Sequence, residues 1–180
     1  TLSFCSGDAS ATQFVETYYI PGPEDDLLNT FQSIYDADAS ACGSSGGADP
    51  VNPISTYVSI GVVESGTIIY YDHWEDGYEV NLSFPTALPI TQIWGDNDPS
   101  NGIPPGFSVD YLSAADIIIL SNTVDVNDMV GTSPYLYNGG DIIGSRGNIA
   151  VTRLAWATGS GTLFAGALEV HPQETWGTNY

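Results

Sequence analysis

The alternation of apolar and polar residues predicts strands along most of the chain beyond residue 53. In "ISTYVSIGVV", residues 54–63, Val58, Ile60 and Val62 alternate with small or polar residues, which is the period of two typical of a half-buried strand. Alternation or a short apolar run recurs in "TIIYY" (67–71), "YEVNLSF" (78–84), "DIIILSNTV" (116–124), "YLYNGGDII" (135–143), "NIAVTRLAWA" (148–157) and "TLFAGALEV" (162–170). With "FVETYYI" (14–20), these segments predict nine or ten strands, with a hairpin signal at residues 138–140.

One helix is predicted, over about residues 23–35. Pro23 suits the first helical turn, and the three acidic residues that follow it favour the positive end of the helix dipole. Leu27, Leu28 and Phe31 then recur at helical spacing. Many strands and one helix predict a mainly β fold, an antiparallel β-sandwich of jelly-roll-like form. We expect residues 14–180 to form a single domain and residues 1–13 a flexible arm.

Charge excludes several classes of function. The 180 residues contain 22 acidic residues and only two basic ones, Arg146 and Arg153, which gives a net charge of −20. Such a chain has no basic face for nucleic acid or an anionic membrane, and without lysine it has no lysine chemistry. The excess acid is explained by bound divalent cations, by a saline medium, by partner subunits or by a solvated surface, and the sequence leaves these open. Arg153 lies in an apolar strand, so we expect it to pair with a carboxylate.

The segment "WGDNDPSNGIPPGFSVD", residues 94–110, is a candidate calcium loop. Asp96, Asp98 and Ser100 alternate as ligands do in a loop that turns around one ion, and Asn101 or Asp110 would complete the set. The loop lacks the glutamate and the flanking helices of an EF-hand, so a different kind of calcium loop is predicted. The alternative is a proline-rich loop whose acids accept their own turn hydrogen bonds.

Polar and aromatic residues are densest in "YYDHWEDGYE", residues 70–79. The segment follows a predicted strand. If the alternation continues, Asp72 and Trp74 lie on one face and His73 and Glu75 on the other. We interpret it as a strand-to-turn element with exposed acids, although three chemical uses are open.

The first use is calcium binding by Asp72, Glu75 and Asp76. The second is glycoside hydrolysis with two of the same carboxylates as acid and base, and we expect no enzyme activity as the first interpretation. The third is a zinc site at His73, for which His171 is the only other histidine in the sequence.

Three further features bear on location and binding. Trp74, Tyr78 and Trp94 are candidate platforms for stacking on a sugar. Cys5 and Cys42, set among small polar residues, are expected to form a disulfide, and Asn81 opens the glycosylation sequon Asn-Leu-Ser. The sequence contains no run of 18 apolar residues, so no insertion into a membrane is expected.

Five longer stretches carry a resemblance to a family. They are "YYIPGPEDDLLNTFQSI", "GTIIYYDHWEDGYE", "IWGDNDPSNGIPPGF", "NGGDIIGSRGNIAVTR" and "GALEVHPQETWGT". From about residue 12 onward the chain resembles an uncharacterised β-rich domain found near the N-terminus of large secreted microbial surface proteins. The resemblance implies an exported, extracellular or cell-surface protein, and it supplies no catalytic residues.

These observations lead to a ranked set of hypotheses. The first is a structural subunit that assembles with itself into an extracellular filament, sheath or surface layer, stabilised by calcium and by the Cys5–Cys42 disulfide. The second is a calcium-dependent adhesin domain that binds glycans. The third is a glycosidase.

Overall fold

Eight strands form two antiparallel sheets in this computed structural model, which describes residues 15–30, 33, 37, 53–86, 91–124, 136–157 and 165–177. Sheet A contains, in spatial order, β1 (Glu16–Tyr19), β6 (Ile142–Arg146), β3 (Ile68–Asp72) and β4 (Gln92–Trp94). Sheet B contains β5 (Ile117–Val124), β2 (Ile54–Val62), β7 (Ile149–Ala157) and β8 (Ala165–Val170). The predicted mainly β fold, an antiparallel sandwich with one helix, is confirmed.

The inward-facing side chains of both sheets form one core. In β2 the buried residues alternate as the sequence predicted, with Val58, Ile60 and Val62 all buried. They join Ile69, Tyr71 and Trp94 of sheet A in a single hydrophobic cluster. Each such side chain removed from water contributes roughly 1.5–3 kcal/mol, so the sandwich is held mainly by contact between its two layers.

The helix begins where the sequence predicted. Residues 24–30 are helical, as are residues 33 and 37, and the Leu27 N–H donates to the Pro23 carbonyl at 3.0 Å. Leu28 is buried, whereas residues 25 and 26 are exposed. No helix in the described ranges is both long enough and apolar enough to cross a membrane.

The predicted strand "YEVNLSF" is wrong. Residues 77–86 form turns, and Val80 is fully exposed. Asn81 Oδ1 accepts the Ser83 N–H at 3.1 Å, and Glu79 Oε1 accepts the Thr86 N–H at 2.7 Å. Side chains that satisfy nearby backbone donors in this way compete with a strand ladder.

Two further differences concern β4 and the predicted hairpin. β4 is only three residues long, and its sequence pattern did not identify it. Residues 136–141 form a turn that leads into β6 and do not close a hairpin. The chain then passes from β6 in sheet A to β7 in sheet B through Gly147 and Asn148.

The register of sheet A brings three connecting segments to one end of the sandwich. Tyr19 of β1 and Asp72 of β3 both pair with Ile142, the first residue of β6. The residues that follow β1, follow β3 and precede β6 therefore meet there. We call this region the loop end and define it as residues 20–24, 73–79 and 138–141.

Candidate functional site at the loop end

Asp141 is the centre of a buried hydrogen-bond network. Its carboxylate is inaccessible to solvent. Oδ2 accepts the Tyr71 hydroxyl at 2.7 Å and the Asn138 N–H at 3.1 Å, and Oδ1 accepts the Trp74 N–H at 3.2 Å. Because one carboxylate binds donors from β3, from the turn after it and from the turn before β6, it fixes these segments relative to one another.

His73 and Glu75 lie beside this carboxylate. The His73 Nδ1 atom is 3.4 Å from Asp141 Oδ2. Nitrogen and oxygen atoms of His73, Glu75 and Asp141 lie within 4.8 Å of one another. Glu75 is exposed, and its Oε1 accepts the Asn138 Nδ2–H at 3.0 Å. His73, for which the sequence offered too few further zinc ligands, thus has two carboxylates beside it.

The predicted division of the "YYDHWEDGYE" side chains between two faces is wrong. The strand ends at Asp72, and Trp74–Asp76 form a 3₁₀ turn, so His73, Trp74 and Glu75 all contact the Asp141 network. Asp72 is buried elsewhere, where it accepts the Thr91 hydroxyl and the Glu79 N–H, both at 2.9 Å. The predicted ligand set is therefore split between two places, and the side chain of Asp76 lies outside the described part of the structure.

Burial of this network raises the pKa of one of its members strongly. Tyr71 is fully buried, and its pKa is held well above the ordinary value of 10.0, first by desolvation and then by the Asp141 carboxylate to which its hydroxyl donates. The tyrosine is therefore a neutral donor over the physiological pH range.

A second buried network, centred on Glu24, joins the helix to sheet B. Its Oε1 accepts Arg153 Nη2 at 2.8 Å and the Thr56 hydroxyl at 2.7 Å, and its Oε2 accepts the Gly139 N–H at 2.9 Å. The predicted pairing of Arg153 with a carboxylate is confirmed. Gly139 and Asp141 belong to the same four-residue turn, so that turn connects the two networks.

The predicted calcium loop places its acids in one locality, where they accept hydrogen bonds from within the loop. Asp110 is buried and accepts the N–H groups of Gly95 and Asp98, while Asp96 accepts the Asp98 N–H at 2.9 Å. Burial raises the pKa of Asp110, and the neighbouring Asp96 carboxylate raises it further.

Other polar side chains of this loop also form hydrogen bonds within the loop. Asp98 Oδ1 accepts the Ser100 N–H at 3.0 Å and its hydroxyl at 2.6 Å, and these bonds lower the pKa of Asp98. Asn101 Nδ2 donates to Asp96 Oδ2 at 2.8 Å. The loop matches the alternative interpretation from the sequence, in which acids make their own turn bonds, and calcium binding there stays a prediction.

Three aromatic rings, two of them exposed and the central one half-buried, lie in a row at the loop end. The ring centroid of Tyr19 lies 5.7 Å from that of Trp176 and 6.5 Å from that of Tyr78. Tyr78 and Trp176 are 51% and 46% exposed. We call Tyr19, Tyr78 and Trp176 the aromatic surface.

The sequence identified part of this surface. Tyr78 was predicted as a sugar platform, and so was Trp74, which is 43% exposed. The prediction of Trp94 as a sugar platform is wrong, because its ring is entirely buried and stacks on Tyr71 in the core. Tyr19 and Trp176 were missed, since nothing in the sequence indicates that the C-terminal segment folds against β1.

Two adjoining grooves border the aromatic surface, and Tyr19 lines both. The larger, about 570 Å³, runs between β1 and β8 and is lined by Leu168, Glu169, His171 and Trp176. The smaller, about 310 Å³, is lined by Tyr78 and by residues 79–83. Both volumes fall within or near the roughly 300–1,000 Å³ of ligand pockets.

Hydrogen bonds hold Trp176 in place. The 3₁₀ turn Gln173–Thr175 precedes it, and Glu174 Oε2 in this turn accepts the Thr17 N–H of β1 at 3.1 Å. The Trp176 indole N–H donates to the His171 carbonyl at 3.2 Å. The segment that carries Trp176 is therefore bonded to β1 of sheet A and to His171, the residue that follows β8 of sheet B.

The remaining predicted residues are quickly placed. Asn81 is exposed in a turn at the edge of the smaller groove, a position open to a glycan. Cys5, Cys42 and the predicted arm, residues 1–13, lie outside the described residues.

No protein-family model, curated protein or solved structure matches this chain.

Proposed function

We propose that this domain binds carbohydrate at the aromatic surface, as part of an exported surface protein. The observation that carries the proposal is the row of Tyr78, Tyr19 and Trp176 along two adjoining grooves. This is the glycan-binding part of the second hypothesis drawn from the sequence, with a different set of rings and without its calcium dependence. Extracellular location belongs to the same proposal, as the family resemblance implies it.

Exposed aromatic rings suit a sugar ligand for a physical reason. The C–H groups on one face of a sugar ring form an apolar patch that matches the face of an aromatic ring, while its hydroxyls require hydrogen bonds. Tyrosine and tryptophan offer a large rigid surface with few rotatable bonds, so little conformational entropy is lost on binding. Tyr78 is further fixed because its hydroxyl donates to the Gly140 carbonyl at 2.9 Å.

Polar groups for the hydroxyls lie along both grooves. Glu169 and His171 line the larger groove, and Glu79 and Asn81 line the smaller. A few polar groups among apolar and aromatic side chains are the usual composition of a small-molecule site. The Glu79 carboxylate can accept hydrogen bonds from sugar hydroxyls, whereas strand alternation directs the Glu169 side chain to the outer face of sheet B.

The negative charge of the protein limits the kinds of glycan that it is expected to bind. The chain carries a net charge of −20, and acidic residues occur in both grooves. Like charges brought together across an interface oppose binding. We therefore propose a neutral polysaccharide as the ligand, and we expect sulfated or uronic-acid glycans to bind more weakly.

The experiment is a glycan screen followed by calorimetry with substituted proteins. Losing one stacking ring is expected to cost about 1–2 kcal/mol, so Trp176→Ala and Tyr78→Ala should each weaken binding about 5- to 30-fold. Trp156→Ala is the matched control, because Trp156 is a partly exposed tryptophan stacked on Tyr57 of sheet B. Unchanged affinity in both test variants, or an equal loss in the control, would contradict the proposal.

A second candidate function is self-assembly through the outer face of sheet B. Ile117 and Ile119 of β5 are exposed on this face, as is Trp156 of β7. Among the described residues of the four strands, Glu169 is the one charged residue that alternation and register place there. Two copies can meet through such a face without bringing many carboxylates together, so the face favours a structural subunit.

Light scattering over a range of protein concentrations, with negative-stain microscopy, tests this second candidate. Ile119→Asp adds a charge on β5, the edge strand that carries two of the exposed apolar residues of this face, and is expected to abolish assembly. Val80→Asp, at a fully exposed residue outside the face, should have no effect. A protein that stays monomeric at every concentration would rule out this role for the domain alone.

A further inference from the structure

His73 is a buried imidazole whose polar contacts do not account for its burial. The residue is 5% exposed, and its Nε2 has no hydrogen-bond partner among the described residues. Its Nδ1 approaches Asp141 Oδ2 at 3.4 Å, which is longer than the roughly 2.7–2.9 Å of a charge-assisted hydrogen bond. Burying a polar group with so weak a partner is costly. Nδ1 is the ring nitrogen that approaches the Asp141 carboxylate, so it is Nδ1 that an ion in this cluster would bind.

We infer that His73, Asp141 and Glu75 bind a divalent transition-metal ion, with Zn²⁺ the best match. Bonds of 2.0–2.1 Å in a tetrahedral zinc site put neighbouring ligand atoms about 3.3–3.4 Å apart. The His73 Nδ1 atom lies 3.4 Å from Asp141 Oδ2, so the imidazole is at about this spacing from the carboxylate. Oδ2 already accepts the Tyr71 hydroxyl and the Asn138 N–H, so Oδ1 is the oxygen that would bind the ion. The ligand atoms of all three residues lie within 4.8 Å of one another. Glu75 is exposed, so a rotation of its side chain can bring its carboxylate oxygen from within 4.8 Å of the other two ligand atoms to the spacing that zinc requires.

The surrounding hydrogen bonds are those that a metal site needs. Asp141 is oriented by the Tyr71 hydroxyl and by the N–H groups of Asn138 and Trp74. The Asn138 side chain donates to Glu75 Oε1 at 3.0 Å. Such outer contacts orient metal ligands and raise their affinity. Asp141 Oδ1 accepts one hydrogen bond from a described residue, which leaves a lone pair for an ion.

The type of ligand decides between kinds of ion. Calcium takes six to eight oxygen ligands, whereas this cluster offers one imidazole and two carboxylates. Imidazole nitrogen favours Zn²⁺ and its transition-metal neighbours. Three protein ligands leave a fourth position of a tetrahedral ion for water or another ligand. The site is therefore distinct in chemistry and in place from the 94–110 loop.

Metal binding here would act on the turn that carries two exposed aromatic residues. Glu75 lies between Trp74 and Tyr78, so an ion that holds its carboxylate against Asp141 would rigidify residues 73–78. This inference does not depend on carbohydrate binding, because its readouts use the ion alone.

The test is a titration of the full chain, freed of metal by chelation, with Zn²⁺ in a calorimeter at physiological ionic strength. One ion is expected per chain, bound much more tightly than Ca²⁺. Glu75→Gln, a change at an exposed side chain, should weaken Zn²⁺ binding at least tenfold and remove the Zn²⁺-dependent rise in Tm. Titration with Co²⁺ should give the intense visible absorption of a tetrahedral ion.

A matched control is the other histidine of the sequence. His171→Gln should leave Zn²⁺ affinity unchanged, whereas His73→Gln should lower it as Glu75→Gln does. Unaltered affinity in Glu75→Gln, or loss of binding in His171→Gln, would overturn the inference. Equal affinities for Zn²⁺ and Ca²⁺ would overturn it as well, because they would indicate diffuse attraction to acidic residues.

Discussion

Replacing Arg153 with methionine is expected to destabilise the protein strongly, since it leaves a buried carboxylate without its cation. Arg153 and Glu24 are both nearly inaccessible, and their 2.8 Å contact is the one ion pair between an arginine and an acid among the described residues. Glu24 would keep its bonds from Thr56, at 2.7 Å, and from the Gly139 N–H, at 2.9 Å. These neutral donors do not cancel its charge.

The expected cost is that of breaking a buried pair, about 3–5 kcal/mol. For a chain of this length each kcal/mol lowers Tm by about 2–4 °C, so Tm should fall by roughly 6–20 °C. Methionine has a similar reach and fills much of the same space, so the loss reports mainly on charge.

Urea unfolding followed by circular dichroism measures this cost for four proteins: the wild type, Arg153→Met, Glu24→Gln and the double variant. Glu24→Gln removes the charge that Arg153→Met leaves unpaired. The double variant should therefore be more stable than Arg153→Met alone, which gives a coupling energy above about 1 kcal/mol. Additive effects of the two changes would refute the reasoning.

Arg146→Met is the matched control, because Arg146 is the other arginine in the sequence. Its guanidinium lies 5.3 Å from the centroid of the Tyr70 ring. A cation–π contact near the surface contributes about 0.5–1 kcal/mol, so this variant should lose far less stability. If Arg153→Met cost no more than Arg146→Met, the buried pair would not have the role assigned to it.

Three further predictions concern pH, packing and calcium. Burial and hydrogen bonding raise the pKa of Tyr18 far above 10.0, so the folded state keeps a proton that the unfolded chain releases. The contribution of Tyr18 to stability should be constant below about pH 10 and fall above it by up to about 1.4 kcal/mol per pH unit. The raised pKa of Tyr71 adds to this loss, and a urea midpoint that does not fall above about pH 10 would contradict the prediction. In Gly139→Ala the new Cβ atom would overlap backbone atoms of Gly22 and Pro23, so the backbone must shift, and the unfolding free energy should drop by about 1–3 kcal/mol or more. Gly166→Ala, which meets open space, should not lower it in this way. If the 94–110 loop binds calcium, saturation to about 100 times Kd should stabilise the fold by about 2.7 kcal/mol, and a melt unchanged by chelation and by added calcium would remove that ion.

Six of the eight described strands, β1, β2, β3, β5, β7 and β8, lie within or almost within segments that the sequence predicted as strands. β2 alternates between buried and less buried residues, and β7 and β8 are long segments separated by turn residues. "YEVNLSF" alternates equally well but forms no strand. Sheet A shows why, since β3 already has β6 on one side and β4 on the other, so no partner remains beside it. Periodicity indicates which side chains can face a core, but it does not indicate which strand edges are available for pairing.

The candidate site was harder to predict because its residues come from distant parts of the chain. His73 and Glu75 were identified as chemically interesting, but Asp141 lies 66 or more positions away and joins them only through the β3–β6 pairing. The signal in the sequence was weak: an acid directly after Asn-Gly-Gly and directly before a buried strand. Trp176 meets Tyr19 in the same way, through a contact between β1 and the C-terminal 3₁₀ turn.

The scarcity of basic residues explains how the buried acids are stabilised. With 22 acidic and two basic residues, most carboxylates that the fold buries must find donors other than cations. Asp141 uses backbone N–H groups of Asn138 and Trp74, and Asp110 uses those of Gly95 and Asp98. Each of these bonds holds a backbone N–H group in a fixed position beside the acid. Each of these acids therefore determines the path of a loop. Part of the acidic content of the chain thus has a structural role, at the loop end and in the 94–110 loop.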